Sequence, residues 1–158
     1  MVTWGDSGNG GDSSSVAGQL TSGVKVIDST YSAFAAVKED GSVVAWGNSG
    51  YGGDSSSVAG QLTSGVKVID STTSAFAVVK EDGSVVTWGG SFYGGDSSSV
   101  AGQLTSGVKV IYSTSSAFAV VKEDGSVVTW GGSFYGGDSS SVADKLAPNL
   151  FLIETSIN

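Results

Sequence analysis

The chain has no cysteine and no histidine among its 158 residues, and it has a single proline. Without cysteine there are no disulfides and no thiolate metal sites, although this absence leaves the cellular compartment open. A Ser-His-Asp or Cys-His catalytic centre is impossible, and zinc, haem and iron–sulfur sites lose their usual ligands. The sequence therefore favours a non-enzymatic protein.

Positive charge is also scarce. Seven lysines and no arginine face fifteen carboxylates, which gives a net charge of -8. Nucleic acids and anionic membrane surfaces attract the opposite sign, so neither is an expected partner. No stretch approaches the roughly 20 apolar residues of a membrane span, and residues 1–20 lack the pattern of a signal peptide.

What the chain does contain is a repeat of 42 residues in which each unit begins with Trp-Gly. The second and third copies differ at only four positions, so the units are nearly identical. One repeat domain over residues 1–158 follows, because self-similarity at a fixed period indicates a repeat architecture. Its tryptophans are Trp4, Trp46, Trp88 and Trp130, and its units are 4–45, 46–87, 88–129 and the partial unit 130–158.

Each unit contains three strand patterns and a glycine-rich loop. Residues 74–80 and 85–88 are rich in apolar and β-branched residues, and Asp82-Gly83 between them predicts a hairpin with a type I′ turn. Residues 65–69 predict a third strand, and 58–62 a short piece that crosses back over the sheet. No part of the unit favours a helix.

The hairpin strands carry apolar residues on both faces, which is typical of strands covered on both sides. The predicted fold is all-β: a β-propeller-like array of 42-residue, three- or four-stranded blades, incomplete in one chain. A β-trefoil and an open β-repeat superhelix are the alternatives.

The unit resembles the repeat of the regulator of chromosome condensation family. The residues that carry the resemblance are Ser-Gly-Val-Lys-Val-Ile, Ala-Phe-Ala-Val-Val and Lys-Glu-Asp-Gly followed by Val-Val-Thr-Trp-Gly. Short bacterial versions, in a secreted β-lactamase inhibitor protein and in giant bacterial surface proteins, are the most similar. The resemblance implies a propeller that binds protein partners through its faces. The family's usual Gly-His before the hairpin is Thr73-Ser74 here.

The two ends of the chain interrupt the repeat. Strand-like residues Val2 to Trp4 open it, and Leu150-Phe151-Leu152-Ile153 close it, so both would leave backbone groups unpaired. Open edges flanked by identical units predict head-to-tail association, as a dimer that shares a ring or as a filament. The residues expected at this join are Val2, Trp4, Leu150, Phe151, Leu152 and Ile153.

Phe151 breaks the repeat at a position that is lysine in the three earlier units, at Lys25, Lys67 and Lys109. A charged position that becomes aromatic predicts burial of Phe151 against another chain or a folded-back tail. A simple terminal cap is the alternative, since end repeats are commonly atypical.

Two kinds of carboxylate are candidate sites. The Glu-Asp pairs such as Glu81-Asp82 are adjacent in a turn and cannot flank a substrate as a glycosidase pair does. Gly-Gly-Asp in each loop suggests calcium, but each loop offers one carboxylate, and an Asx-turn explains it better. No cofactor is expected beyond this weak calcium candidate, whose residues are Asp12, Asp54, Asp96 and Asp138.

Aromatic residues of the glycine-rich loops form a candidate ligand surface for a protein or a glycan. They are Tyr51, Phe92, Tyr93, Phe134 and Tyr135. Two functions are therefore carried forward. One is a structural or adhesive module of an exported, cell-surface or extracellular bacterial protein, which self-associates. The other is a soluble protein- or glycan-binding propeller, like an inhibitor or a lectin.

Overall fold

A computed structural model describes residues 1–148 of the chain. Nine strands form three separate three-stranded antiparallel sheets, ordered β1-β2-β3, β4-β5-β6 and β7-β8-β9. We call these sheets blades 1, 2 and 3. The strands are β1 Val24–Ser29, β2 Ala33–Lys38, β3 Val43–Gly47, β4 Val66–Ser71, β5 Ala75–Lys80, β6 Val85–Gly89, β7 Val108–Ser113, β8 Ala117–Lys122 and β9 Val127–Gly131. The predicted all-β array of 42-residue units is confirmed, with three strands per blade.

Short helices occupy the connections between blades, where the sequence predicted loops and no helix. Residues such as Ser56–Gln61 lack the alternating apolar pattern, and their tight turns close locally, as in Leu62 N–H donating to Ala59 O. The 3-10 helices are Ser7–Asn9, Ser14–Gln19, Ser49–Tyr51, Ser56–Gln61, Ser91–Tyr93, Ser98–Gln103, Ser133–Tyr135 and Ser140–Val142, and α1 is Ala143–Leu146. Within residues 1–148, no helix has the length and apolar character to cross a membrane.

The hairpin between β5 and β6 is in place, but its turn is not of type I′. Gly83 has φ +76°, and no non-glycine residue among those described has a positive φ. Gly83 N–H donates to Lys80 O, and Lys80 N–H donates to Ser84 O. The loop therefore has three residues, and only its glycine lies in the left-handed region. The aspartate does not need the positive φ that a type I′ turn requires.

The middle strand of each blade supplies most of the core. In β5, residues Ala75 to Val79 are buried on both faces, as predicted for a strand covered on two sides. Phe76 stacks on Trp88 of β6 at 5.2 Å between ring centroids, and Trp88 Nε1 donates to Gly52 O at 2.9 Å. A Cβ at Gly52 would lie 2.6 Å from Phe76 Cδ2, so the loop approaches the ring closely only as glycine.

Candidate self-association surfaces

The contact between neighbouring blades is built twice in the chain from the same residue types. Between blades 1 and 2, Ala35 and Val37 of β2 pack in one buried cluster with Phe76, Val78 and Trp88. Between blades 2 and 3, the equivalent residues form a second cluster one repeat later. The face of one blade that carries these alanine and valine side chains therefore fits the face of the next blade that carries the Phe-Trp pair.

Hydrogen bonds along the first strands reinforce this contact with the same period. Ser71 Oγ donates to Ser29 O at 2.9 Å, and Ser113 Oγ donates to Ser71 O at 2.8 Å. Backbone bonds do the same, because Val43 N–H donates to Leu62 O and Val85 N–H donates to Leu104 O one unit later. The same set of hydrogen-bond donors and acceptors therefore joins blade 1 to blade 2 and blade 2 to blade 3.

The N-terminal segment Met1–Trp4 follows the path of a third strand but is not one. The Met1 amino group donates to Leu20 O at 3.0 Å, as Val43 N–H does to Leu62 O in the next unit. Thr3 Oγ1 lies 2.8 Å from Ser13 Oγ, which also repeats in later units. The predicted strand at Val2–Trp4 is wrong, because none of the residues that the structure describes forms a middle strand beside it.

The face of blade 1 beside this segment is uncovered. Trp4 is 84% exposed and Val2 is 81% exposed, whereas the tryptophans of the three blades are buried. Ile27 is 45% exposed, but its equivalent Ile111 in blade 3 is 7% exposed. Exposed apolar side chains that are contiguous in this way mark an interaction surface.

The opposite end, at blade 3, is partly uncovered as well. Ala119 and Val121 of β8 are partly exposed, while Ala77 and Val79 at the same positions of β5 are buried. The other residues predicted for the join, Leu150, Phe151, Leu152 and Ile153, lie outside the described residues.

The aromatic loop residues line one edge of the array. Thr72 Oγ1 donates to Tyr93 O at 2.9 Å, and the same bond joins Thr30 to Tyr51 and Thr114 to Tyr135, so these loops occupy equivalent places. Phe92 packs on Tyr93 at 5.5 Å, and Phe134 is 94% exposed.

Sequence reasoning missed Tyr31, which joins this edge with its ring 6.1 Å from that of Tyr51. The corresponding residue is Thr73 in the second unit and Ser115 in the third, so no recurring aromatic drew attention to it. We call Tyr31, Tyr51, Phe92, Tyr93, Phe134 and Tyr135 the aromatic edge.

The loop aspartates lie one to a unit, exposed at the start of the 3-10 helices. Asp54 Oδ1 accepts a hydrogen bond from Ser56 N–H at 2.9 Å, which is the Asx-turn expected from the sequence, and this bond lowers the pKa of Asp54. Asp12, Asp96 and Asp138 are placed in the same way. Residues 1–148 contain no group of three or more His, Cys, Asp or Glu placed to hold a metal ion.

One carboxylate has the opposite environment. Asp70, at the end of β4, is partly buried between blades, and burial raises its pKa, with a further increase from Asp28. Its Oδ1 accepts from Ser71 N–H at 2.9 Å and from Ser113 Oγ at 3.1 Å, and both bonds oppose that increase. Asp70 therefore belongs to the contact between blades 2 and 3.

Comparison with known proteins found no matching family model and no matching curated protein. Among solved structures, the crystal structure of human WBSCR16 is similar at 21% sequence identity and a TM-score of 0.48. The match covers 72% of this chain and 35% of that one, so the chain spans about a third of its length.

Proposed function

We propose that the chain is a non-enzymatic structural or adhesive repeat module of an exported bacterial protein, and that its biochemical property is self-association. A head-to-tail dimer is the favoured assembly and a filament is the alternative. The near-identical units support this function, because a lattice or a repetitive ligand suits copies better than a single dedicated binding face does.

One observation carries the proposal. The face whose phenylalanine is buried in blades 2 and 3 is open in blade 1, where Phe34 is partly exposed and Ile27 is 45% exposed. Phe76 and Phe118, at the position of Phe34, are buried by the preceding blade. A second copy that covers this face would remove its apolar surface from water. The free energy of association gains about 25 cal/mol for each Å² of apolar surface buried in this way.

The test measures solution mass by light scattering over a range of concentrations. We expect the mass of the wild type to rise with concentration, and Ile27→Lys to shift this rise to at least about tenfold higher concentration. Val68→Lys is the matched control, since Val68 is similarly exposed but lies in the central blade. A wild type that stays monomeric throughout, or an Ile27→Lys variant that assembles like Val68→Lys, would contradict the proposal.

The aromatic edge supports a second candidate, a protein- or glycan-binding propeller. Exposed tyrosine and phenylalanine side chains are enriched where proteins bind partners, and here they recur in successive units. A glycan array together with a protein pull-down tests it. We expect a true ligand to be lost in a Phe92→Ser/Phe134→Ser double variant, and binding that persists in that variant would exclude this edge.

A further inference from the structure

The uncovered face of blade 1 contains a defined apolar slot of about 220 Å³. Its floor is formed by Ile27, Phe34 and Trp46, and its wall by the segment Met1–Trp4. We propose that the C-terminal segment Leu150–Ile153 of a second copy fills this slot as a strand paired with Met1–Trp4. This inference rests on the proposed self-association and names the segment that carries it.

The chain itself shows what fills the equivalent space elsewhere. In front of blade 2, β2 pairs with β3 and places Ala33, Ala35 and Val37 against Phe76 and Trp88. In front of blade 3, β5 pairs with β6 and does the same. In front of blade 1 the third-strand position is held by Met1–Trp4, so the position that residues 1–148 leave open is that of a middle strand.

A whole blade of another copy does not fit this gap as it stands. Such a blade would bring its own third strand, β9, into the place that Met1–Trp4 already holds through the Met1–Leu20 and Thr3–Ser13 contacts. A single extended segment meets no such conflict. It adds to an existing strand edge, as in recognition by strand addition.

The pairing within blade 2 defines which residue types a strand in the slot needs. In blade 2 the middle strand pairs antiparallel with the third strand, with Ala75 opposite Gly89, Phe76 opposite Trp88, Ala77 opposite Thr87 and Val78 opposite Val86. Gly5, Trp4, Thr3 and Val2 occupy the corresponding third-strand positions. The occupant therefore needs an apolar residue, phenylalanine, an apolar residue and a β-branched residue, in that order.

Leu150-Phe151-Leu152-Ile153 matches this order position by position, with leucine in place of alanine. In this register Phe151 lies opposite Trp4, and Leu150 and Leu152 point towards the floor of the slot, as Ala75 and Ala77 point towards blade 3. The departure of Phe151 from the lysine of the earlier units is thereby explained. A first strand tolerates an exposed lysine, whereas a middle strand is apolar on both faces.

The donor is a second copy because the same chain does not reach. Pro148 ends the described part beside blade 3, next to Val127 and Val128, while the slot lies on the far side of blade 1. Only Asn149 lies between Pro148 and Leu150, so these two residues are at most about 7 Å apart along an extended chain. Two sheet-to-sheet spacings of about 10 Å each separate the blades. Reciprocal exchange gives a closed dimer, and one-way donation gives a filament.

Trp4 reports directly on the slot, because it is exposed while Trp46, Trp88 and Trp130 are 2–3% exposed. The probe is a synthetic peptide of residues 149–158, titrated into the full-length Phe151→Lys variant. We expect a saturable blue shift of tryptophan emission and a loss of the acrylamide-quenchable fraction. The same peptide with lysine at the Phe151 position is the control, and an absence of any protection by the unmodified peptide would overturn the slot assignment.

The second arm follows association of the full chain. Phe151→Lys should raise the concentration needed for association at least about tenfold and leave Trp4 quenchable, and Phe151→Leu should restore association. Phe134→Lys is the matched control, since it makes the same chemical change at an exposed phenylalanine of the described residues. A Phe151→Lys variant that assembles with Trp4 protected contradicts the inference.

The two proposals fail in different ways. A wild type that stays monomeric while the peptide still protects Trp4 would refute self-association and donation by a second copy, and would show only that the slot binds this sequence. A wild type that assembles while neither the peptide nor Phe151→Lys affects Trp4 would support self-association and refute the assignment.

Discussion

At the scale of single residues, Asp54 and Asp70 have opposite effects on stability. In the loops and hairpins, hydrogen bonds from serine favour the charged form, and the pKa of Asp54 is lowered chiefly by the backbone N–H of Ser56. Asp70 is desolvated between two blades, and its pKa is raised above the ordinary 3.8. Folding therefore favours ionised Asp54 and disfavours ionised Asp70.

We predict that Asp70→Asn stabilises the protein at pH 7. Because the pKa of Asp70 is raised on folding, the native state binds more protons than the unfolded state above pH 3.8, and stability falls as the pH rises through the folded pKa. Asparagine removes this penalty and still accepts from Ser71 and Ser113. We expect a gain below about 1 kcal/mol in urea unfolding, since a partly exposed carboxylate is screened. The gain should vanish as the pH falls towards 3.8.

Asp54→Asn is the matched control, because it makes the same change in net charge. The pKa of Asp54 is lowered on folding, so its contribution is present at neutral pH and is lost as the pH falls below 3.8. This variant should be slightly less stable than the wild type at pH 7. If both variants shifted stability in the same direction, net charge rather than the local environment would be the cause.

At the scale of elements, the strands were predictable and their connections were less so. The apolar pattern of residues 74–80 and 85–88 located β5 and β6 to within one residue, because alternation and β-branching report directly on burial. The 3-10 helix Ser56–Gln61 carries no such pattern. Its turns are held by local backbone hydrogen bonds. Serine, glycine and alanine are compatible with such turns but form no sequence pattern that predicts them.

The candidate surfaces show the same division. Trp46, Trp88 and Trp130 are buried, as is usual for a tryptophan at a strand end of a repeat. The exposure of Trp4 was not predictable, because its Trp-Gly sequence is identical to the others, whereas no phenylalanine among residues 1–148 stacks on it as Phe34 stacks on Trp46. The Ser29–Ser71–Ser113 ladder joins residues 42 apart, and sequence alone does not say that equivalent positions touch.

Coverage by the next blade should decide how much a core valine contributes. Val79 in β5 is buried against blade 3, whereas Val121 occupies the same position of β8 and is partly exposed. We predict that Val79→Ala lowers the unfolding free energy by about 2 kcal/mol and Val121→Ala by less than about 1 kcal/mol. Urea unfolding at high dilution measures both, and equal losses would mean that the outer face of β8 is covered in solution.

At the scale of the whole molecule, the array is a row in which each blade is stabilised by its neighbours. Blade 2 packs against blade 1 through one buried cluster and against blade 3 through another, while each end blade takes part in one such contact with another blade. In repeat proteins, stability is approximately the sum of the units and their nearest-neighbour contacts. The end blades should therefore open before the central one.

Amide hydrogen exchange tests this order strand by strand. The middle strands β2, β5 and β8 have the same ladder on both sides, so differences among them report on coverage of their faces rather than on hydrogen bonding. At high dilution, we expect β5 amides to exchange about tenfold or more slowly than those of β2 and β8. Uniform exchange would mean that the array opens as one unit.

Raising the protein concentration should slow amide exchange in β2, because a strand in the slot then covers blade 1. Protection of β2 that does not change with concentration would place the covering element within the same chain.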